Sequence, residues 1–110
     1  MLTLMFITND PVIATAAHAA GVSRIFVDLE FMGKYERQGH RDTVISRHKF
    51  TDIDVIREAV PGAELLVRIN PFHSGSDTEV NEVINRGADL IMLPMFTKFD
   101  EVERLCQMVD

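Results

Sequence analysis

Gly21-Val22-Ser23-Arg24-Ile25-Phe26-Val27-Asp28-Leu29-Glu30 holds, in that order, a helix-ending glycine, an apolar strand and two acids. Glycine in this position suits the left-handed turn that closes a helix. The unbroken apolar run that follows suits a parallel strand covered on both faces. Side chains two apart in an extended chain point the same way, so Asp28 and Glu30 share a face. Two acids at the C-terminal end of a buried strand need a partner, water or a ligand. That end is also where parallel α/β folds build their sites. The competing reading is a strand end that opens into solvent, where acids cost little.

The same grammar recurs along the chain. Gly62-Ala63-Glu64 leads into Leu65-Leu66-Val67-Arg68-Ile69, and Gly87-Ala88-Asp89 leads into Leu90-Ile91-Met92-Leu93. Before the first glycine, an apolar run over Leu2 to Thr8 stops at Asn9-Asp10-Pro11. Asp10 is placed to cap a helix with Pro11 at its first position. That helix is expected over 11–20, with Val12, Ile13, Ala16, Ala17 and Ala20 on its packing side and Gly21 beyond its end. Three further helix starts pair a hydroxyl with an acid three residues on: Thr51 with Asp54, Ser76 with Glu79, and Thr97 with Asp100. This is the capping-box spacing, and apolar residues return every three or four positions after each.

The expectation is an α/β fold of four parallel βα units, with strands near 2–7, 24–29, 64–69 and 89–93. Residues 1–110 form a single portion of that fold, half of a TIM barrel, which needs about 250 residues in full. Two raw sheet edges then call for another chain or a longer polypeptide. No G-x-G-x-x-G or G-x-x-x-x-G-K-[ST] loop occurs, which weighs against a nucleotide-binding sheet. Residues 31–50 form an irregular connection, long enough to suggest function, with a short helix over 32–38 and the apolar run Thr43-Val44-Ile45-Ser46 as its candidate structure.

Composition narrows the partners. The net charge of −6 argues against nucleic acid. Arg37, Arg41, Arg47, His48 and Lys49 form a basic middle, but interspersed acids make it read as a solvated loop. No apolar run approaches the length of about 18 residues needed to span a membrane, and the start lacks a signal-peptide pattern. A cytoplasmic location is the default expectation. The lone Cys106 excludes an internal disulfide and reads as a small buried apolar residue.

At the strand ends, Arg68 and Asn70 share a face by the period-two rule. An arginine there can hold a carboxylate with two hydrogen bonds or stabilise an enolate oxygen. It can equally serve to neutralise Asp28 or Glu30 from the neighbouring strand, and the two roles can coexist. Pro94 stops the last strand; Met95 and Phe96 either wall a pocket or, as the favoured reading, pack in the core. His18 reads as a partly exposed helix residue. His40, His48 and His73 show no zinc spacing, His48 reads as a surface histidine, and His73-Ser74-Gly75-Ser76 reads as a flexible loop. No local motif indicates a nucleophile–histidine–acid triad.

Taken together, Asp28-Leu29-Glu30, Gly33-Lys34, Arg37-Gln38, Val44-Ile45-Ser46-Arg47-His48, Val67-Arg68-Ile69-Asn70 and Gly87 to Pro94 resemble the HpcH/HpaI aldolase/citrate lyase family. The resemblance runs over almost the whole chain and implies a barrel of the phosphoenolpyruvate/pyruvate type. It implies a carbon–carbon lyase acting on a 2-oxo acid or acyl-CoA related substrate with Mg2+ or Mn2+. Arg68 looks like the family's carboxylate-binding arginine, with Asn70, Pro94 and Met95 as further substrate-side candidates. Asp28 and Glu30 look like acids that orient the metal's water. The histidine that follows the acidic motif in the keto-sugar aldolases is replaced by Phe31. The family's direct metal ligands follow the fifth and sixth strands and have no counterpart in these residues, so none is assigned here. On this reading the chain is the N-terminal half of a lyase barrel, inactive or nearly so by itself, joined by a missing half or by further copies as a homo-oligomer. The alternative is a non-catalytic α/β module that self-associates through its open sheet edges.

Overall fold

The computed structural model describes residues 2–32 and 48–110. Among these residues the chain alternates β1 (Met5–Ile7), α1 (Pro11–Ala19), β2 (Arg24–Asp28), α2 (Phe50–Ala59), β3 (Glu64–Arg68), α3 (Ser76–Asn85), β4 (Leu90–Met92) and α4 (Phe99–Val109). The candidate helix over 32–38, the run 43–46, Gly33, Lys34, Arg37, Gln38, Gly39, His40, Arg41 and Arg47 lie outside the described residues, apart from Met32. No helix among the described residues is long and apolar enough to cross a membrane.

The strands form one parallel sheet in the order β1-β2-β3-β4. Neighbours in space are neighbours in sequence, as in a barrel wound in one direction and unlike the reversed order of a doubly wound sheet. Register aligns Ile25 with Leu65, Val27 with Val67 and Asp28 with Arg68. Ile25, Val27, Leu65, Val67 and Ile69 are buried in one layer with Ala14, Ile53, Ile56, Val60, Val80 and Val83. The alternate positions Phe26, Asp28, Leu66 and Arg68 therefore occupy the other face.

Helix ends show where local chemistry prevailed and where it was overridden. Asp10 caps α1 as expected, its Oδ1 accepting from Val12 N at 2.8 Å. The packing side of α1 is different: Ala14 and Ala17 meet the core, whereas Val12, Ile13, Ala16 and Ala20 are exposed. α2 begins earlier than its Thr51-to-Asp54 spacing suggested, with Lys49 as cap and the Asp52 carboxylate accepting the Lys49 N–H. α4 starts at Phe99, and Glu101, rather than Asp100, accepts from the Thr97 N–H. Ser76 accepts from the His73 N–H, so the supposed flexible loop is tied by a hydrogen bond. Cys106 is exposed rather than buried.

Gly21 and Gly87 adopt φ of 115° and 107°, the backbone region that favours glycine, directly after α1 and α3. At Gly87 an added Cβ would also meet the Arg57 side chain at 2.9 Å. Arg57 donates to the carbonyls of Val60, Pro61, Ala63 and Gly87 and to Asp89, joining the end of α2 to the entrances of β3 and β4.

Two outcomes follow. Ile25→Ala empties a fully buried position in a central strand and is expected to cost about 2–5 kcal/mol, measured by urea unfolding. Asp89 has a lowered pKa because the Leu65 N–H donates to it, with Arg57 adding to the effect. A carboxyl lowered on folding stabilises above its unfolded pKa, about 3.9, and loses that stabilisation as pH falls through its folded value. Asp89→Asn is therefore expected to flatten the acid limb of the stability–pH curve below about pH 4, with little change in its slope between pH 6 and 8.

Candidate functional site

Asp28 and Arg68 are the last residues of β2 and β3, and they face each other in register. Arg68 Nε donates to Asp28 Oδ1 at 2.9 Å and Nη2 donates to Oδ2 at 2.6 Å. Asp28 has no solvent exposure, while the Arg68 side chain keeps 24% of its own. A carboxylate buried to this degree needs a hydrogen-bonded cation, and a two-bond guanidinium contact meets that need. The Asp28 hydrogen bond raises the Arg68 pKa against the opposing effect of burial. The Phe26 ring lies 5.2 Å from the guanidinium carbon and supports its face.

Glu30 closes the same corner. Its N–H donates to Asp28 Oδ1 at 3.1 Å, and its buried carboxylate lies 3.8 Å from Arg68 Nε. The shared face expected of Asp28 and Glu30 is thus realised, with the acids buried instead of opening into solvent, and the register brings Arg68 to the same corner. The structural pairing of Arg68 is realised as well. Because Asp28 takes the Nε/Nη2 edge, Nη1 makes no hydrogen bond among the described residues. One of its N–H groups, together with the second N–H of Nη2, forms the guanidinium's remaining two-donor edge.

Asn70 occupies a neighbouring position with a different job. Its Oδ1 accepts from the Phe31 and Met32 N–H groups at 2.9 and 3.2 Å. Glu79 of α3 accepts from both the Asn70 N–H and Nδ2, at 3.0 and 2.7 Å. Asn70 is 3% exposed and clamps the chain leaving β2; none of its hydrogen bonds reaches Arg68. Glu79, expected to close a capping box with Ser76, instead anchors this clamp. His73 lies beside it, Nε2 at 3.8 Å from Glu79 Oε1 and Nδ1 accepting from the Gly75 N–H.

His48, read from sequence as a surface histidine, packs at the same rim. Its Nδ1 accepts the Asp28 N–H at 2.9 Å. In a parallel ladder that N–H would point to a carbonyl of a continuing β1. β1 has already turned away to cap α1, so the imidazole stands in for it. Twenty positions separate the two residues, and no spacing rule links them; the capping role of Glu79 likewise masked its tertiary one.

Pro94 and Met95 lie beyond the end of β4. Met95 and Phe96 are 58% and 56% exposed, so the core-packing expectation is overturned. The short β4 leaves these two side chains without a layer to enter. A cavity of about 280 Å3 lies behind the rim, between Leu29, Phe31, His48, Phe50, Asn70 and Glu79. Neither Arg68, Asp28 nor Glu30 lines it, so it belongs to the helix-facing side of the sheet.

The resemblance implies a divalent metal, which calls for several oxygen or nitrogen donors around one point. Among the described residues no group of three His, Cys, Asp or Glu side chains is placed to hold a metal. Asp28 directs both oxygens to Arg68. These residues do not make a coordination shell by themselves, and what they can do is fix and neutralise a guanidinium beside an open edge.

The fold is similar to that of a solved HpcH/HpaI aldolase from Desulfitobacterium hafniense DCB-2. The TM-score is 0.66 at 19% sequence identity, over 91% of this chain and 34% of that one. The four βα units therefore form a half-barrel-like part of the aldolase fold, and the chain spans about a third of the length of that protein. No family model and no curated protein matches the sequence.

Removing the guanidinium should expose how far the corner depends on it. Arg68→Met leaves the Asp28 carboxylate buried without its guanidinium and is expected to cost about 3–5 kcal/mol in chemical unfolding. Adding Asp28→Asn should recover a large part, because a neutral amide is easier to bury. Additive losses in the double variant would remove the coupling between the two residues.

Proposed function

We propose that this chain supplies the β2–β3 rim of a carbon–carbon lyase that acts on a 2-oxo acid or an acyl-CoA related substrate. The observation that carries the reading is the orientation of Arg68. Asp28 holds one edge of the guanidinium, and Nη1 lies on the other edge at the C-terminal end of a parallel sheet. A fixed, always-charged fork of this kind matches a carboxylate through two parallel hydrogen bonds.

In a retro-aldol cleavage, a base takes the proton of the substrate's 4-hydroxyl group and the C3–C4 bond breaks. The hydroxyl-bearing carbon leaves as an aldehyde, and the bonding pair becomes the enolate of the 2-oxo acid, which then takes a proton at C3. Arg68 would hold the substrate carboxylate and place positive charge near the developing enolate oxygen. Asp28 fixes the rotamer, so orientation need not be acquired during the reaction. Asn70 and Glu79 hold the chain that leaves β2, and so keep Asp28 and Glu30 in place. Pro94 and Met95, at the end of the next strand, would border the substrate.

The reading includes a cytoplasmic setting and a Mg2+ or Mn2+ ion held by groups other than those described; no step is assigned to the ion here. In a polypeptide carrying the completed barrel, Arg68→Lys keeps the charge but loses the planar fork. It is expected to lower kcat/KM for 2-oxo acid cleavage by about 100-fold. In the 110-residue chain, pyruvate should shift the Arg68 side-chain NMR resonances, and Arg68→Lys should abolish the response at neighbouring amides. Unchanged kcat/KM together with an unperturbed Arg68 would overturn the assignment.

A further inference from the structure

The Asp28 N–H is a main-chain donor at the rim of the sheet, on a residue with no solvent exposure. A donor buried to that degree has to be paired, because leaving it unmade costs its full desolvation. On the β1 side of β2, the Arg24 N–H donates to the Leu4 carbonyl, and the register then advances both strands in step. Continued for four residues, that pattern would pair the Asp28 N–H with the Thr8 carbonyl. The ladder stops short of it. The Thr8 N–H still donates to the Phe26 carbonyl, but the Thr8 hydroxyl accepts from the Asp10 N–H and the chain turns into α1. His48 Nδ1 takes the place of the missing carbonyl, 2.9 Å from the Asp28 nitrogen.

The start of α2 delivers the ring to that place. Lys49, next in sequence, caps the helix: its N–H donates to Asp52 Oδ2 and its carbonyl accepts from the Asp52 N–H. Asn9, just past β1, donates its Nδ2 to the same Asp52 oxygen at 3.4 Å. The end of β1 is thus tied to the start of α2, and the residue just before α2 reaches the strand that β1 has left.

A histidine at the rim of a site suggests acid–base chemistry. The contacts of this one point elsewhere. An Nδ1 that accepts from a main-chain N–H is unprotonated, so the neutral ring carries its proton on Nε2. That lone pair is committed to the backbone and could take a substrate proton only by giving up the Asp28 N–H. His48 also lines the cavity on the helix-facing side of the sheet, which neither Arg68, Asp28 nor Glu30 lines. What the ring holds is the backbone of Asp28. The carboxylate of that residue fixes Arg68 through two hydrogen bonds and accepts from the Glu30 N–H.

We propose that His48 is a positioning residue of the Arg68 site, acting through the Asp28 amide and not on substrate. Without an acceptor there, the end of β2 gains by turning its N–H toward water. The carboxylate carried by the same residue then leaves the Nε/Nη2 edge of Arg68, and the guanidinium loses its fixed orientation. The consequence for substrate rests on the lyase reading above, whereas the effect on Asp28 and Arg68 does not.

His48→Asn and His48→Leu form a matched pair, because the two side chains have nearly the same shape and only Asn places an acceptor where Nδ1 stands. In the ligand-free 110-residue chain, wild-type NMR spectra should show scalar coupling between the Asp28 amide nitrogen and His48 Nδ1 across the hydrogen bond. Exchange of the Arg68 Nε–H with water should quicken about tenfold in His48→Leu, the equivalent of one lost hydrogen bond, and less than about threefold in His48→Asn. Pyruvate affinity should fall in the same order. A role in packing alone predicts the reverse, since Leu is the more apolar replacement. Absent coupling, wild-type Arg68 exchange in His48→Leu, or a His48→Asn protein that behaves like His48→Leu would each overturn the proposal. Should His48→Leu fail to fold, His48→Ala with added imidazole replaces it. Free imidazole should then slow the Arg68 Nε–H again, and no response would overturn the role. If pyruvate leaves wild-type Arg68 unperturbed, the lyase reading falls and the ligand-free spectra still decide the role of His48. If pyruvate binds wild type and His48→Leu equally, the role of His48 falls and the assignment of Arg68 stands.

Discussion

A carboxylate with no access to water sits at the end of β2, and the guanidinium that makes its burial tolerable comes from the end of β3. The pair requires the register that sets Asp28 opposite Arg68, and a one-residue slip of β3 would turn Arg68 to the helix layer, away from Asp28. Sheet pairing and site geometry are thus one constraint. Phe26 beneath the guanidinium, the Glu30 N–H on Asp28 and the His48 ring on the Asp28 N–H all refer to the same corner. Breaking the pair would leave a costly charge in the interior, which makes the rim a place where strand order and chemistry are decided together.

Around this corner the polar groups fall into two connected sets. Arg68, Asp28 and Glu30 lie on the face away from the helices. Asn70, Glu79 and His73 lie where the chain passes from the sheet to α3, and they tie down Phe31 and Met32 just after the acids. The first set presents charge, and the second holds the backbone that presents it. A parallel sheet ends all its strands on one side, so both sets collect at one rim without any sequence proximity. At the opposite rim, Arg57 and Asp89 perform the structural counterpart, binding strand entrances rather than presenting an open edge.

Much of this was legible beforehand in particular residues. The glycine-led apolar runs located β2, β3 and β4 to within a few residues, and the apolar run before Asn9 located β1. The shared face of Asp28 and Glu30 followed from the period of a strand, whereas the placing of Arg68 opposite them needed the register. The helix faces were harder. Every alternative side of α1 is apolar, so periodicity could not tell that Ala14 would be buried and Val12 exposed. Thr51, Ser76 and Thr97 offered plausible caps, yet Asp52 and Glu101 accept the backbone N–H groups at two helix starts in place of the expected Asp54 and Asp100, and Glu79 turned to Asn70. Cys106 and Met95 looked interior because their types usually are, and they are exposed where the helix and strand that bear them run along the end of the sheet.

By itself the sequence determined the order of the elements, their parallel βα character, and which side chains on β2 and β3 point the same way. Those properties depend on local conformational preference and on periodicity, and both are written in consecutive residues. Only the tertiary structure decided that Arg68 spends one edge on Asp28, that Asn70 belongs to Glu79, and that His48 reaches back to the Asp28 amide. Each of those choices joins residues between nine and forty positions apart. Their partners are selected by which backbone and side-chain groups burial would otherwise leave unsatisfied, and that is set by packing rather than by spacing.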